Sequence, residues 1–470
     1  MALKQQTRGE RPEARGRTPL LVTSSLQPPA SGLGFDWSGR RVTVMGLGRH
    51  GGGVAAVRYL AERGARVTIS DLADRATLAG SLSKLDGVPI VECKSGGHDP
   101  ADFRTQFVVV NPAVRPDHSC LQIARDAGAR LTSETELFLT ACPARVVGVT
   151  GSNGKTTTCS MLAAILSAAG LRTWLGGNIG RSLLGDLASM TRDDWVVLEI
   201  SSFQLAHLSA SARLPEIAVV TNCSANHLDW HGSFADYARA KQRLLAMQHP
   251  DRLAIVNEHD PVVAKWTESI GCRTAASWPL EYVPVLRVPG EHNRQNAACA
   301  AAAAAACRIE RDVVNSALAR FQGLPHRLEF VAEVVGRRIY NDSKSTSPGA
   351  TVAALQAIDG PTWLLAGGHS KGATFDELSA AIVERACGAA VFGAARHALQ
   401  SSIARREGRF KVCAFATMDQ ALAWCWRQSR VGDAIVLSPA CASHDQYLDY
   451  HHRGETFRAL VRELSALAVS

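Results

Sequence analysis

One stretch constrains the chain more than any other: GVTGSNGKTTT at residues 148–158, set directly after the apolar run Arg145-Val146-Val147. A strand that runs into glycines and then into Gly-Lys-Thr predicts a phosphate-binding loop at the head of a helix, with a parallel α/β sheet behind it. The backbone N–H groups of Gly151, Ser152, Asn153, Gly154 and Lys155 are expected to cradle phosphates. The Lys155 ammonium would neutralise the β and γ oxygens, and Thr156, with Thr157 beside it, would reach a magnesium ion. The spacing departs from the usual pattern, because Val149 stands where a glycine is normal, five positions before the Gly-Lys pair.

The same strand–glycine–helix grammar occurs at two other places. From Arg40 the text reads RRVTVMGLGRHGGGVAAVRYLAERGARVTISD. It predicts a strand at Val42–Met45, a GxGxxG turn through Gly46, Gly48 and Gly51, a helix over Val54–Arg63, and a strand over Val67–Ser70 ending at Asp71. On the residues alone this turn serves NAD or some other ligand. A further start follows GLPHR (Gly323–Arg327), with strands at Trp363–Ala366, Ala389–Phe392 and Ala434–Leu437 alternating with helical stretches. The expected fold class is therefore α/β with three domains and mainly parallel sheets. The divisions are a Rossmann-like domain at 35–133, a central P-loop ATPase-type domain at 134–323 and a Rossmann-like C-terminal domain at 324–470. Residues 1–34, rich in Pro, Gly, Arg and Ser, are expected to form a mobile tail.

Composition narrows the setting. No apolar run approaches the ~20 residues of a membrane helix. The longest, Ala297–Cys307, is an alanine run expected to form a closely packed helix. The N-terminus has scattered basic residues but no apolar core of a signal peptide. Twelve dispersed cysteines without a CxxC pair fit reduced thiols in a cytoplasm. The formal net charge is +8, and five Lys/Arg against two Glu in the first 34 residues supply +3 of it. A site for anionic substrates accounts for the mild remainder without nucleic acid. A cytoplasmic monomer with neither membrane nor nucleic-acid partner is the expectation.

Polar clusters follow several predicted strands, where ligands collect in open α/β sheets. LEISSFQL (Leu198–Leu205) places Glu199 at a strand end, and TNCSANHLDWH (Thr221–His231) does the same for Asn226 and His227. A lone acid would be a cap and a lone histidine structural; two such clusters after a phosphate loop point to a site. YNDSKSTSPG (Tyr340–Gly349), AGGHSKG (Ala366–Gly372) and LSPACASHDQY (Leu437–Tyr447) repeat the arrangement, which favours Lys344 and Lys371 as site residues.

Taken in order, TGSNGKTT, GGNIG, LEISSFQL, NHLDWHGSFADYARAK, GEHNRQN, GLPHR, NDSKST and LSPACAS resemble the Mur ligases from about residue 38 to the end. LSPACAS weighs most towards the branch that adds D-glutamate to UDP-N-acetylmuramoyl-L-alanine. Asn153 precedes Gly-Lys where the alanine-adding branch typically has His. The DNPR signature of the diaminopimelate-adding branch is absent, and GKTT stands where folylpolyglutamate synthases have GKGS. The resemblance implies an ATP-dependent amide ligase of peptidoglycan synthesis, working through an acyl phosphate, whose third domain closes over ATP and the amino acid. The loop of this family typically lacks the first glycine, and the GxGxxG turn holds UDP.

By the same resemblance Gly48, Asp71, Asn178, Ser201 and Gln204 contact the UDP-sugar. Asn296, Arg327, Asp342 and Lys344 join the loop residues around ATP. Thr346, Lys371, Ser443 and Tyr450 grip glutamate. Thr156, Glu199, His227 and Lys241 serve two magnesium ions, Lys241 as a lysine carbamylated by carbon dioxide. Lys155, His227, Lys241 and Lys344 carry the chemistry. Three positions depart from the family pattern: Asn226 for Asp, Asn111-Pro112-Ala113 for Ser-Pro-Gly, and Tyr450 for Phe. Another ligase of this superfamily is the nearest alternative; a P-loop ATPase or an NAD-binding protein would come from a different class.

Overall fold

The computed structural model describes residues 35–470 apart from Arg49, His50, Lys371, Ala373, Glu407, Arg409 and Ser470. The tail expected over residues 1–34 and the site residue Lys371 therefore lie outside the described residues. Three separate sheets follow one another along the chain.

The first contains β1 (Arg41–Met45), β2 (Arg66–Asp71), β3 (Glu92–Ser95), β4 (Phe107–Val110) and β5 (Arg130–Thr132) in the order β3-β2-β1-β4-β5. All its pairs are parallel. β1 carries Val42, Val44 and Met45 into the core and is flanked by β2 and β4. Because the strand order reverses there, a crevice opens at its carboxyl end, where the glycine turn sits.

The second sheet holds β6 (Arg145–Thr150), β7 (Thr173–Gly177), β8 (Trp195–Glu199), β9 (Ile217–Val220), β10 (Leu253–Val256) and β11 (Arg273–Ala276). It runs β11-β10-β9-β6-β8-β7, again all parallel. β6, between β8 and β9, is its reversal point, so the phosphate loop leaves the sheet where Glu199 and Thr221 also emerge.

The third sheet contains β12 (Glu329–Val334), β13 (Arg337–Asn341), β14 (Thr362–Gly367), β15 (Gly388–Phe392), β16 (Val412–Ala414) and β17 (Ala434–Ala440) in the order β12-β13-β17-β14-β15-β16. Only β12 and β13 are antiparallel. Their two-residue loop, Val335-Gly336, has φ of 47° and 68°. That is the left-handed pair a tight hairpin needs.

The expected helices form. Gly52–Ala61 covers the first sheet, and Lys155–Ala168 follows the phosphate loop. The alanine run lies in a helix, Glu291–Ala306. Ala297–Ala301 share one cluster with Cys159, Met161, Leu162 and Ile165 of the helix Lys155–Ala168. Methyl side chains let two backbones approach closely, which brings the start of the alanine helix over the start of the phosphate-loop helix. The other face of the second sheet shares an apolar cluster with the first sheet, running from Trp37 and Val44 through Val146 to Leu245. The third sheet keeps its own clusters on its two faces.

Candidate active site

β6 leads into the loop Gly151–Gly154, and the helix begins at Lys155 with Gly154 as its cap. Gly154 has φ 78°, and a Cβ there would lie 2.9 Å from Asn296 Cγ and overlap its Oδ1. The loop is therefore closed against the buried Asn296 of the alanine helix, as the helix packing requires. Asn222, just past β9, clamps the loop from the other side. Its Oδ1 accepts from Asn153 N at 2.8 Å, its Nδ2 donates to Asn153 O at 3.0 Å, and its carbonyl accepts from Ser152 N at 3.0 Å. Two of the amides expected to cradle phosphate, those of Ser152 and Asn153, are thus engaged by Asn222. The amides of Gly154, Lys155, Thr156 and Thr157 open the helix and have no carbonyl four residues back within it. These are the ones available to an anion.

Glu199 ends β8 beside this helix. Its Oε2 accepts from Thr156 Oγ1 at 2.7 Å and its Oε1 from Asn178 Nδ2 at 2.9 Å. Asn178 N also donates to Glu199 O at 2.9 Å, and the left-handed Gly177 (φ 94°) permits the close approach of β7. Glu199 is 3% exposed, so the hydroxyl and amide offset the cost of burying its charge.

Lys241 lies on the helix Phe234–Ala246 and is buried rather than solvated, at 1% exposed. Its Nζ donates to Gly151 O at 2.7 Å and sits 4.6 Å from the centre of the Tyr237 ring. Lys155 Nζ donates to the same carbonyl at 2.9 Å and to Ser152 O at 3.0 Å. Burial, reinforced by the Lys155 charge, lowers the Lys241 pKa to about 7. Burial also lowers that of Lys155; Glu199 opposes the shift and Arg327 adds to it. Tyr237 OH donates to Ser152 Oγ at 2.8 Å, tying the same helix to the loop.

His227 takes the left-handed conformation, φ 52°, and is exposed, with its ring 4.8 Å from that of Phe203. His231, one turn on, stacks on Phe203 and bonds Ser202 Oγ at 3.0 Å. Burial lowers its pKa, and the charges of Lys241 and His227 lower it further.

In the third sheet the adjacent strands β13, β17 and β14 run parallel, so their following loops emerge at one edge. Asp342 is buried. Its Oδ1 accepts from Leu328 N at 3.0 Å and its Oδ2 from Ser345 Oγ at 2.5 Å and Ser438 Oγ at 2.8 Å. Burial nevertheless pushes its pKa up to about 6. Lys344 is exposed, with Nζ 5.1 Å from the Tyr450 ring. Although the residue as a whole is exposed, partial desolvation of its ammonium lowers its pKa; Arg327 pushes the same way and Glu199 opposes. Charge is thus felt between the third segment and the phosphate loop. Thr346 is exposed and Ser443 buried, in the loops after β13 and β17.

In the first sheet Gly48 N donates to Asp71 Oδ2 at 3.1 Å and Ala73 N to Asp71 Oδ1 at 2.8 Å. Asn111 packs against the glycine turn and donates to Gly46 O at 3.0 Å. Ser201 and Gln204 form a reciprocal capping box, and Gln204 Nε2 donates onward to Thr135 Oγ1 at 2.9 Å. These bonds orient the short helix Ser202–Ala206 after Glu199.

Comparison with known proteins bears on what this arrangement is. Residues 40–133 match the model for the Mur ligase MurD-like N-terminal domain, 149–281 the Mur ligase middle domain, and 326–441 the Mur ligase glutamate ligase domain. A UDP-N-acetylmuramoylalanine--D-glutamate ligase from Roseiflexus sp. (strain RS-1) is 36% identical over 464 residues, covering 91% of this chain and 99% of the relative. The protein of the same name from Geobacter metallireducens is 36% identical over 460 residues, covering 92% and 99%. This chain belongs to the Mur ligase family. Solved Mur ligases share the fold. The UDP-N-acetylmuramate-alanine ligase of Thermotoga maritima superposes with a TM-score of 0.52 at 17% identity, covering 90% of this chain and 99% of its own. The UDP-N-acetylmuramoylalanyl-D-glutamyl-2,6-diaminopimelate--D-alanyl-D-alanyl ligase of Acinetobacter baumannii superposes with a TM-score of 0.55 at 16% identity, covering 85% and 90%.

The structure draws Lys155, Thr156, Glu199, Asn178, Lys241 and Asn296 of this Mur ligase around one loop. It also adds residues that the sequence reading passed over. Asn222 lies inside the polar cluster after β9, four positions before the Asn226 singled out there. Tyr237 reads as part of an apolar helix face, and its hydroxyl carries no pattern in the sequence. Arg453 of the last helix, Tyr450–Val469, is entirely buried. A lone arginine in an exposed-looking helical stretch gives no signal of that.

Proposed function

We propose that this chain is an ATP-dependent ligase joining D-glutamate to UDP-N-acetylmuramoyl-L-alanine in peptidoglycan precursor synthesis. One observation carries the reading: beyond burial, Arg327 of the third segment lowers the pKa of Lys155, and Glu199 beside the phosphate loop raises that of Lys344, so the two segments face one another. A cation from a second unit serves hydrolysis as well, but the hydroxyls of Thr346 and Ser443 in the loops beside it suit a second, anionic substrate. The name shared by relatives matched over nearly their whole length supports the same reading.

The substrate's alanine carboxylate is a poor electrophile, because its leaving group would be oxide. Its oxygen attacks the γ-phosphorus of ATP, a C–O–P linkage forms, and ADP leaves. The neutral amine of glutamate then attacks the carbonyl carbon, and the tetrahedral intermediate expels phosphate to leave an amide. Positioning and charge neutralisation supply most of such a barrier reduction. The free amides of residues 154–157 and the Lys155 ammonium hold the transferring phosphoryl. Asn296, Arg327, Asp342 and Lys344 border the nucleotide. The glycine turn with Gly48, Asp71 and Asn178 receives the UDP-sugar, while Ser201 and Gln204 position it through the capping box. Thr346, Lys371, Ser443 and Tyr450 surround glutamate.

The donor set fits magnesium, since Thr156 Oγ1 and Glu199 Oε2 are hard oxygens 2.7 Å apart. With His227 they would hold one ion and a carbamate on Lys241 a second, the ions neutralising phosphate charge when bound. The buried, weakly basic Lys241 amine suits carbamate formation. A cytoplasmic monomer divided at residues 134 and 324 completes the reading, as does closure of the last domain. No helix among the described residues is long and apolar enough to cross a membrane.

The full chain incubated with ATP, UDP-N-acetylmuramoyl-L-alanine and a panel of amino acids tests this by product mass. A D-glutamyl adduct with matching phosphate release is expected. Phosphate release that needs no amino acid, or an adduct with a different one, overturns it.

A further inference from the structure

Arg453 heads the large side chains that are fully buried, at 0% exposed. Its Nε donates to Ser343 Oγ at 3.1 Å and its Nη2 to Ser343 O at 2.9 Å. Both Nη atoms reach Cys441 O at 3.1 Å, and Nη1 reaches Gly367 O at 3.4 Å. Ser343 follows β13, Cys441 follows β17 and Gly367 ends β14, so one planar fork ties the three loops at the edge of the third sheet. A point-charge ammonium could not span these directions. Ser343 Oγ also donates to Tyr450 O at 2.8 Å, closing the ring of contacts at the head of the last helix. Gly368 is fitted to this junction, since a Cβ there would overlap Ala442 O and lie 3.0 Å from Nη1.

Among the described residues no carboxylate lies within ion-pair distance of Arg453; every acceptor is a carbonyl or a hydroxyl, and the Asp445 charge acts on it only from longer range. Burying a cation without an ion-pair partner is costly, and packing alone does not require it. The charge sits directly beneath the loops that carry Lys344, Thr346 and Ser443.

We propose that Arg453 is the positioning residue of the amino-acid pocket. Its fork fixes the three loops relative to one another, and its charge, held without an ion-pair partner, biases the pocket towards a dicarboxylic amino acid. The inference rests on the ligase reading above.

Initial rates of the full-length enzyme test it, with all three substrate KM values measured for Arg453→Lys and Arg453→Met. Both variants should raise the KM for D-glutamate roughly ten- to hundredfold, the scale of one or two lost charge-assisted bonds, and the neutral Met more than Lys. The KM values for ATP and the UDP-linked substrate should move far less. A merely structural arginine would lower the active fraction and leave the glutamate KM of the surviving enzyme unchanged, which overturns the proposal. Should neither variant fold, Ser343→Ala removes the Nε acceptor, together with the bond to Tyr450 O, and leaves the charge in place. It should still raise the glutamate KM severalfold, and a wild-type value overturns the proposal equally. Absence of D-glutamate turnover in the wild type sinks the ligase reading; turnover with an unmoved KM sinks only this one.

Discussion

Replacing Gly154 with alanine tests the closure of the phosphate loop on the alanine helix. The residue has φ 78°, and the added methyl would lie 2.9 Å from Asn296 Cγ and overlap its Oδ1. An alanine held in the left-handed region costs about 1–2 kcal/mol. Forcing a methyl into a packed contact costs about 1–3 kcal/mol more. Gly154→Ala should therefore destabilise the chain by about 2–5 kcal/mol, and it should weaken ATP binding by tilting the amides of residues 154–157. Only the second component depends on Asn296, so shortening that side chain should return it. A double-mutant cycle of Gly154→Ala with Asn296→Ala, read by urea unfolding, should give a coupling of about 1–3 kcal/mol. The strain of the left-handed alanine should persist in the double variant. Additivity within about 0.5 kcal/mol would refute the claim that Asn296 caps this glycine.

Lys241→Ala should lose roughly two orders of magnitude in kcat, the scale of one buried electrostatic contact, and regain part of it with a short carboxylic acid. Lys241→Arg should not be rescued, because the pocket stays filled and cationic; near-normal activity in Lys241→Ala would remove the carbamate assignment. Asp342 should make stability fall as pH rises. Its folded pKa is about 6 against 3.8 for a free carboxyl, so between those values the folded state holds more of the proton. The cost is absent below pH 4, grows through the window and reaches about 3 kcal/mol above pH 6. Asp342→Asn should gain that much on the wild type between pH 4 and pH 7 in paired urea titrations; a difference flat with pH would count against the buried carboxylate.

Much of this was legible in the sequence, because chemistry and fold use the same residues at strand ends. Strand, glycine and helix follow one another at Gly46, at Gly154 and, more loosely, after β14, and each transition marks a carboxyl edge where ligands collect. The strand-end positions of Glu199 and Lys344 were readable for that reason. The antiparallel β12 was not, since an edge strand joined to β13 by a hairpin has no counterpart in the strand–helix rhythm. Nor was the burial of Lys241 readable from its helix. Arg239 and Arg243 on the same helix suggest a solvated face, and only the tertiary contact with Gly151 O shows otherwise. The partners of Asp342 come from Leu328 N, Ser345 and Ser438, one of them 96 positions away in sequence. No local pattern encodes such a distant hydroxyl.

The missing glycine of the phosphate loop has a structural account. Val149 is a fully buried strand residue, in register with Glu199 of β8 on one side and Val219 of β9 on the other. The sheet continues one residue further, through Thr150, before the backbone turns. A glycine at 149 would supply conformational freedom where the strand needs none and would leave a gap in the core. The turn is then made over Gly151–Gly154 alone, too short to hold itself open by its own amides. Asn222 supplies the missing constraint by bonding both faces of Asn153, and Thr221 Oγ1 adds a bond to Asn153 O at 2.7 Å. Lys155 and Lys241 draw the Gly151 carbonyl inward from two sides. The shortened loop thus depends on β9 and on the Lys241 helix. Those are the segments that carry His227 and the proposed carbamate, so the phosphate loop and the proposed metal site share one set of supports.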